Sequence, residues 1–302
     1  MADLSVNLCG VSLKNPIIAA SGTFGFGREM AGYFDLSRMG GISSKGITRQ
    51  PRLGNPTPRI AETPSGCINS VGLENPGVEA FLRKELPYMK TLQTAVIVNV
   101  SGSSLGEYRE TVAMVSEAGA DMIELNISCP NIKGGGMAFG TTPQSAAEVV
   151  REVRPLCKTP LMVKLSPNVA DIAAIARAVE GEGADAISLI NTLSAMAVDP
   201  YTRRPILASV MGGLSGPAVK PIALRMVYQV SQAVSIPVVG LGGVTTGLDA
   251  AEFMLCGATA VMVGTASLMD PYSCDRIIAE LNDYLDGMGI ATAAELTGSL
   301  MV

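Results

Sequence analysis

Eight short apolar runs alternate with amphipathic stretches along the whole chain, and this alternation constrains the fold more than any other feature. The runs occupy residues 16–21, 41–46, 94–100, 121–127, 160–165, 186–192, 236–240 and 259–264. Several are continuous rather than alternating, the pattern of parallel strands buried on both faces. Between them, residues 105–118, 143–153, 169–182, 217–233 and 246–256 carry helical periodicity. Eight strands separated by helices predict an α/β fold, a (β/α)₈ TIM barrel, with a doubly wound open sheet as the alternative. A barrel of this kind takes about 250 residues. The 302 residues are therefore read as a single domain, 1–302, with long loops at the C-terminal face. Residues 4–13, with Cys9-Gly10 at the turn, predict a hairpin within 1–15 at the barrel bottom.

Two intervals exceed a simple strand–helix unit. Residues 55–90 and 191–216 are polar, irregular and rich in glycine. Long loops within a compact domain tend to be functional. The longest apolar stretches are strand-length, short of the roughly 20 residues of a membrane span. The opening Met1-Ala2-Asp3-Leu4 has no basic region followed by an apolar core. The expectation is a cytoplasmic protein without a membrane anchor.

Histidine is absent, which excludes Ser-His-Asp chemistry, histidine-ligated zinc and histidine acid–base catalysis. Proton transfer must rest on Cys, Lys, Asp, Glu or Tyr. A net charge of −5 with scattered basic residues gives no nucleic-acid surface. The six cysteines, at 9, 67, 129, 157, 256 and 274, have no CxxC spacing, so neither a metal site nor an iron–sulfur cluster is expected on this chain. Most should be small buried hydrophobes.

Cys129 is the exception. Residues 124–136 read ELNISCPNIKGGG: a strand ends at Asn126, a turn carries Ser128, Cys129 and Pro130, and Asn131 precedes a glycine run. In a barrel these side chains stand at the carboxyl end of the fourth strand, the face on which barrel active sites are built. Carboxamides fix a planar hydrogen-bonding ligand, and a nearby thiol could take a proton from it.

The NISCPN motif followed by glycines resembles the dihydroorotate dehydrogenases, specifically class 1, whose base is a cysteine. Class 2 relatives carry serine there and a membrane-associating N-terminal extension. The resemblance covers nearly the whole chain. It implies Cys129 as base, with Lys45 as a second catalytic residue, and FMN as cofactor. Asn69–Asn75, NSVGLEN, matches the loop that binds orotate in the family through its asparagines and backbone. It assigns substrate contacts to Asn69, Ser70, Val71, Gly72 and Leu73, with Asn75 offering a further amide edge. Asn126, Asn131, Asn191 and Thr192 complete the substrate set.

Lys45, closing the second strand, is costly to bury without an anion; the resemblance supplies flavin and the orotate carboxylate. Lys164, closing the fifth, is placed by the family near the flavin N1–C2=O edge, where it offsets charge developing on reduction. Ser21, Gly46, Asn99, Asn126 and Ile190 are further expected flavin contacts. Glycine loops after the last two strands, feeding helix N-termini, form the common barrel phosphate site. Here GGLSG (212–216), GLGGV (240–244) and VGTA (263–266) supply Gly216, Gly242, Gly243, Gly264 and Thr265. No GxGxxG opens the first strand–helix unit, so a dinucleotide crevice is not supported.

The implied chemistry is proton removal from C5 of dihydroorotate by Cys129 and hydride passage from C6 to flavin N5. A free thiol ionises near pH 8.5, so activity should rise with pH. SGTFGFG at residues 21–27 and PRIAETPSGCINSVGLEN at 58–75 most resemble the class 1B catalytic subunit. That class forms a homodimer core paired with a second subunit carrying FAD and a 2Fe–2S cluster, a heterotetramer that passes electrons to NAD. The alternatives are a class 1A homodimer reducing fumarate, a related flavin barrel acting on another dihydropyrimidine or on tRNA, and a non-catalytic barrel. Residues 133–140 are a candidate lid.

Overall fold

In the computed structural model, which describes residues 2–128 and 139–302, eight parallel strands close into a barrel. They are β1 (Ile17–Ala19), β2 (Gly41–Ser43), β3 (Ala95–Val100), β4 (Met122–Asn126), β5 (Leu161–Lys164), β6 (Ala186–Leu189), β7 (Val238–Leu241) and β8 (Ala258–Val263). Each predicted run supplies one strand, and all but the last are shorter than the run by one to three residues. The excess includes residues that turn out of the sheet at the mouth, such as Lys45 and Asn191. The order is sequential, and β8 pairs with β1 to shut the cylinder. This removes the open sheet from consideration.

The strands are buried on both faces because helices pack outside them. These include α1 (Leu105–Glu117), α2 (Pro143–Val153), α3 (Ile172–Gly181), α4 (Lys220–Ser231), α5 (Gly247–Leu255) and α6 (Ser273–Met288). Side-chain oxygens of Ser104, Thr142, Asp171 and Thr246 accept backbone N–H groups at the starts of α1, α2, α3 and α5, satisfying donors a helix leaves open. The 217–233 segment begins as a short 3₁₀ turn, Pro217–Val219, because proline fixes its entry, and then becomes α4.

Strands Val6–Leu8 and Val11–Leu13 form an antiparallel hairpin. Cys9 and Gly10 both have positive φ, 54° and 88°, as a tight two-residue turn of matching twist requires. The Cys9 thiol donates to the Asp185 carbonyl, just before β6, so the hairpin lies at the end of the barrel away from the loops described next.

The two irregular intervals are the main departure from the sequence expectation. Ile60–Thr63 pairs with Gly66–Asn69 in the interval after β2, Leu193–Met196 pairs with Met211–Ser215 in the interval after β6, and Gly66–Asn69 pairs with Met211–Ser215 to join them. The result is a four-stranded antiparallel sheet standing over the mouth. Gly212 and Gly213, expected in a phosphate loop, lie within one of its strands instead. A Cβ on Gly213 would fall 1.8 Å from Thr192 Oγ1, and one on Gly212 would fall 2.6 Å from the Asn69 carbonyl. Close sheet packing, not phosphate, accounts for these two glycines. No helix among the described residues is long and apolar enough to cross a membrane.

Candidate active site

The carboxyl ends of the barrel strands and the accessory sheet enclose a cavity of about 290 Å³. Its wall contains Ser21 after β1, Lys45 and Gly46 after β2, Asn126 at the end of β4 and Lys164 at the end of β5. Ile190, Asn191 and Thr192 follow β6, Gly242 and Gly243 follow β7, and Gly264 and Thr265 follow β8. Asn69, Ser70, Val71, Gly72 and Leu73 come down from the accessory sheet, and Gly216 from the turn before α4. Side chains far apart in the sequence thus meet at one mouth.

Lys45 is half-buried and, among the described residues, has no carboxylate within ion-pair distance. An ammonium in that position favours an anionic ligand. Lys164 is 4% exposed, with its Nζ 3.6 Å from Glu124 Oε1. The buried Ser70 hydroxyl has no hydrogen-bond partner among the described residues and sits on the cavity wall. A buried polar atom left unpaired is a natural ligand contact.

The 69–75 loop is held by its own amides. Asn55 donates from Nδ2 to the Ser70 carbonyl and from its backbone N–H to the Val71 carbonyl. Gly72 has φ +80°, and a Cβ there would lie 2.6 Å from the Asn55 side chain. Leu73 also adopts positive φ, 56°, an uncommon conformation for a bulky side chain. Asn75 accounts for how it is held. Its Nδ2 donates to Leu73 O and Thr48 Oγ1, both at 2.8 Å, while Oδ1 accepts from the backbone N–H groups of Thr48 and Gly77. All four hydrogen-bonding positions of the amide are filled, so Asn75 shapes the loop and offers no edge to a ligand. The expectation of a direct contact from Asn75 is corrected.

Asn99 is fully buried beside Gly46, where an added Cβ would lie 3.0 Å from the Asn99 Oδ1. Its Nδ2 donates to Glu124 Oε2 at 2.5 Å and its Oδ1 accepts from Asn126 Nδ2 at 3.4 Å. Asn126 Oδ1 accepts from Ser128 Oγ at 2.7 Å, and Ser128 Oγ accepts from Asn191 Nδ2 at 2.7 Å. Cys129 and Asn131 lie outside the described residues, as does most of the 133–140 segment. Ser128, immediately before Cys129, is part of this network.

The remaining glycines form a cradle. Gly216, Gly242 and Gly243 have φ of +99°, +123° and +84°, conformations that L side chains rarely adopt. Thr265 Oγ1 donates to Ser215 Oγ at 2.8 Å, tying the loop after β8 to the accessory sheet. Backbone amides in glycine loops after the last two strands suit a phosphate.

The profile of the dihydroorotate dehydrogenase family matches residues 3–285. The chain belongs to this family. A Bacteroides fragilis protein described as dihydroorotate dehydrogenase B (NAD(+)), catalytic subunit, is 55% identical over 303 residues, covering 100% of both chains. Proteins of the same description from Geobacillus kaustophilus and Geobacter sp. (strain M21) are 54% and 53% identical over 299 residues. Each match covers 99% of this chain and, respectively, 96% and 98% of the relative. The resemblance read from NISCPN and NSVGLEN therefore extends along the chain, and within the family it is to the B-type catalytic subunits.

Sequence reasoning passes over some residues of this dihydroorotate dehydrogenase fold. Arg52, Cys67 and Ser215 line the cavity, although the motifs that contain Cys67 and Ser215 assign them no role. Glu124 reads only as part of a strand. Its signal is nonetheless present: a charged residue inside the apolar run Met122–Asn126, two positions before Asn126 and so on the same face of the strand.

Proposed function

We propose that this chain is the catalytic subunit of an NAD-linked dihydroorotate dehydrogenase, oxidising dihydroorotate to orotate in pyrimidine biosynthesis. One observation carries the reading. Lys45 without an ionic partner among the described residues, buried Lys164, and the amides of Asn69, Asn126 and Asn191 face one cavity, in a chain collinear with B-type catalytic subunits.

The residues present fit FMN. The Gly216, Gly242, Gly243, Gly264 and Thr265 cradle suits its single phosphate, Ser21 and Gly46 flank the mouth, and Lys164 supplies positive charge to the ring. Bound FMN would supply the acceptor for the hydride leaving C6 of the substrate. The chain supplies everything else. Lys45 pairs with the substrate carboxylate. Asn69, Asn126, Asn131, Asn191 and Thr192 hold the pyrimidine edges, while the Ser70–Leu73 backbone closes over it. Cys129 takes the C5 proton, and the accessory sheet keeps water from the site. Asn99, beside Gly46, is a further flavin contact.

The names of the relatives favour NAD as the final acceptor and a second subunit as the route to it. That subunit is proposed to carry FAD and a 2Fe–2S cluster and to join a homodimer of this chain. The protein should purify yellow and lose its colour on anaerobic addition of dihydroorotate. Cys129→Ala should retain FMN and bleach about 10²–10⁴-fold more slowly. Fast bleaching of that variant would remove Cys129 as base, and a colourless wild-type protein that takes up no FMN would remove the flavin. Rapid turnover of the isolated chain with fumarate would point to the class 1A acceptor.

A further inference from the structure

Glu124 is an ionisable group in the barrel interior with no direct part in the chemistry proposed above. Its carboxylate is fully buried. Oε1 accepts from Ser188 Oγ at 2.8 Å and lies 3.6 Å from Lys164 Nζ; Oε2 accepts from Ser43 Oγ at 3.0 Å and Asn99 Nδ2 at 2.5 Å. The donors come from β2, β3, β5 and β6, so one side chain on β4 ties together five consecutive strands. Burying a carboxylate is expensive unless it is paired and hydrogen-bonded. Here both conditions are met directly beneath the cavity.

The carboxylate also gives the network a direction. It only accepts hydrogen bonds. Asn99 must therefore turn its amide nitrogen toward Glu124, which leaves Oδ1 to accept from Asn126. Asn126 has donated its Nδ2, so its oxygen takes the Ser128 hydroxyl proton and the Ser128 N–H. Ser128 Oγ then accepts from Asn191 Nδ2, and Asn191 Oδ1 accepts the Thr192 N–H at 2.8 Å. A single acceptor in the barrel interior thus sets which way the amides of Asn99, Asn126 and Asn191 point.

We propose that Glu124 is a positioning residue: it fixes the orientation of the Asn126 and Asn191 amides and offsets the charge that Lys164 presents to the bound flavin. The proposal rests on the FMN reading above. Glu124→Gln keeps the shape, removes the charge and introduces donors. The decisive measurement is an anaerobic redox titration of bound FMN in wild-type and variant holoenzyme. With Lys164 no longer offset, the equilibrium should move about tenfold toward reduced flavin, about 30 mV upward for a two-electron couple. Orotate, followed by its perturbation of the flavin spectrum, should bind about tenfold more weakly as the amide chain loses its direction. An unchanged or lowered potential in a flavin-loaded variant overturns the proposal.

Should Glu124→Gln fail to fold, Ser188→Ala provides the second test. It strips one donor from Oε1 and leaves the charge less balanced, so the equilibrium should move the other way, about twofold toward oxidised flavin. No movement there also overturns the proposal. A wild-type chain that binds no FMN is a different failure, since it removes the flavin reading before Glu124 is tested.

Discussion

At the scale of single residues, Asp249 shows how charge holds the cofactor-side loop. Burial alone would push its carboxyl up. Hydrogen bonds from Lys220 Nζ at 2.6 Å, Thr245 Oγ1 at 2.7 Å, and the Thr245 and Thr246 N–H groups outweigh this and bring it to about 2. Because the folded value lies below the ordinary carboxylate value, the stabilisation is complete above about pH 4 and is lost as pH falls toward 2. Asp249→Asn should therefore cost about 1–2 kcal/mol near neutrality, after allowing for solvent around the carboxylate. Urea titrations at pH 7 and pH 3 should show the gap between variant and wild type narrowing at the lower pH. A gap independent of pH would mean that shape, not charge, matters at this position. Legibility at this scale is uneven. Lys45 and Lys164 can be read from sequence because an ammonium closing an apolar strand needs an anion or a polar ring to offset its burial. Asn75 cannot be separated from Asn69 by sequence, since both stand in one loop, and only the contacts show that Asn75 is saturated within the fold.

At the scale of elements, period and punctuation make the barrel strands and most of the helices legible. The accessory sheet is not. Its strands are four or five residues long, two of the four contain glycine, and the pairing that joins its halves, Gly66–Asn69 with Met211–Ser215, spans more than a hundred positions, so no local pattern announces the sheet. Glycine misleads here: GGLSG reads as a phosphate loop, yet Gly212 and Gly213 serve the close approach of neighbouring strands. Gly213→Ala should force its methyl against Thr192 and destabilise the fold by about 1–3 kcal/mol. It should raise KM for dihydroorotate more than it weakens FMN retention, because Thr192 lies on the proposed substrate side while the glycine cradle is untouched. Thermal melting and steady-state kinetics would check both effects, and equal loss of flavin and substrate affinity would refute the division.

At the scale of the whole molecule, the cavity wall draws on the ends of seven of the eight strands and on the accessory sheet. A ligand in that position cross-braces much of the upper half of the fold. Removing FMN should lower the melting temperature, and re-adding it should restore it. At a hundredfold excess over the dissociation constant the gain is about 2.7 kcal/mol. A calorimetric scan of stripped and reloaded protein checks this; identical melting would mean that flavin bridges fewer segments than the cavity does.

The pairing of Gly66–Asn69 with Met211–Ser215 joins two excursions that the chain makes far apart in sequence. Neither can be lengthened, shortened or exchanged between relatives without its counterpart. An engineer seeking a new pyrimidine preference would have to graft both as a matched set.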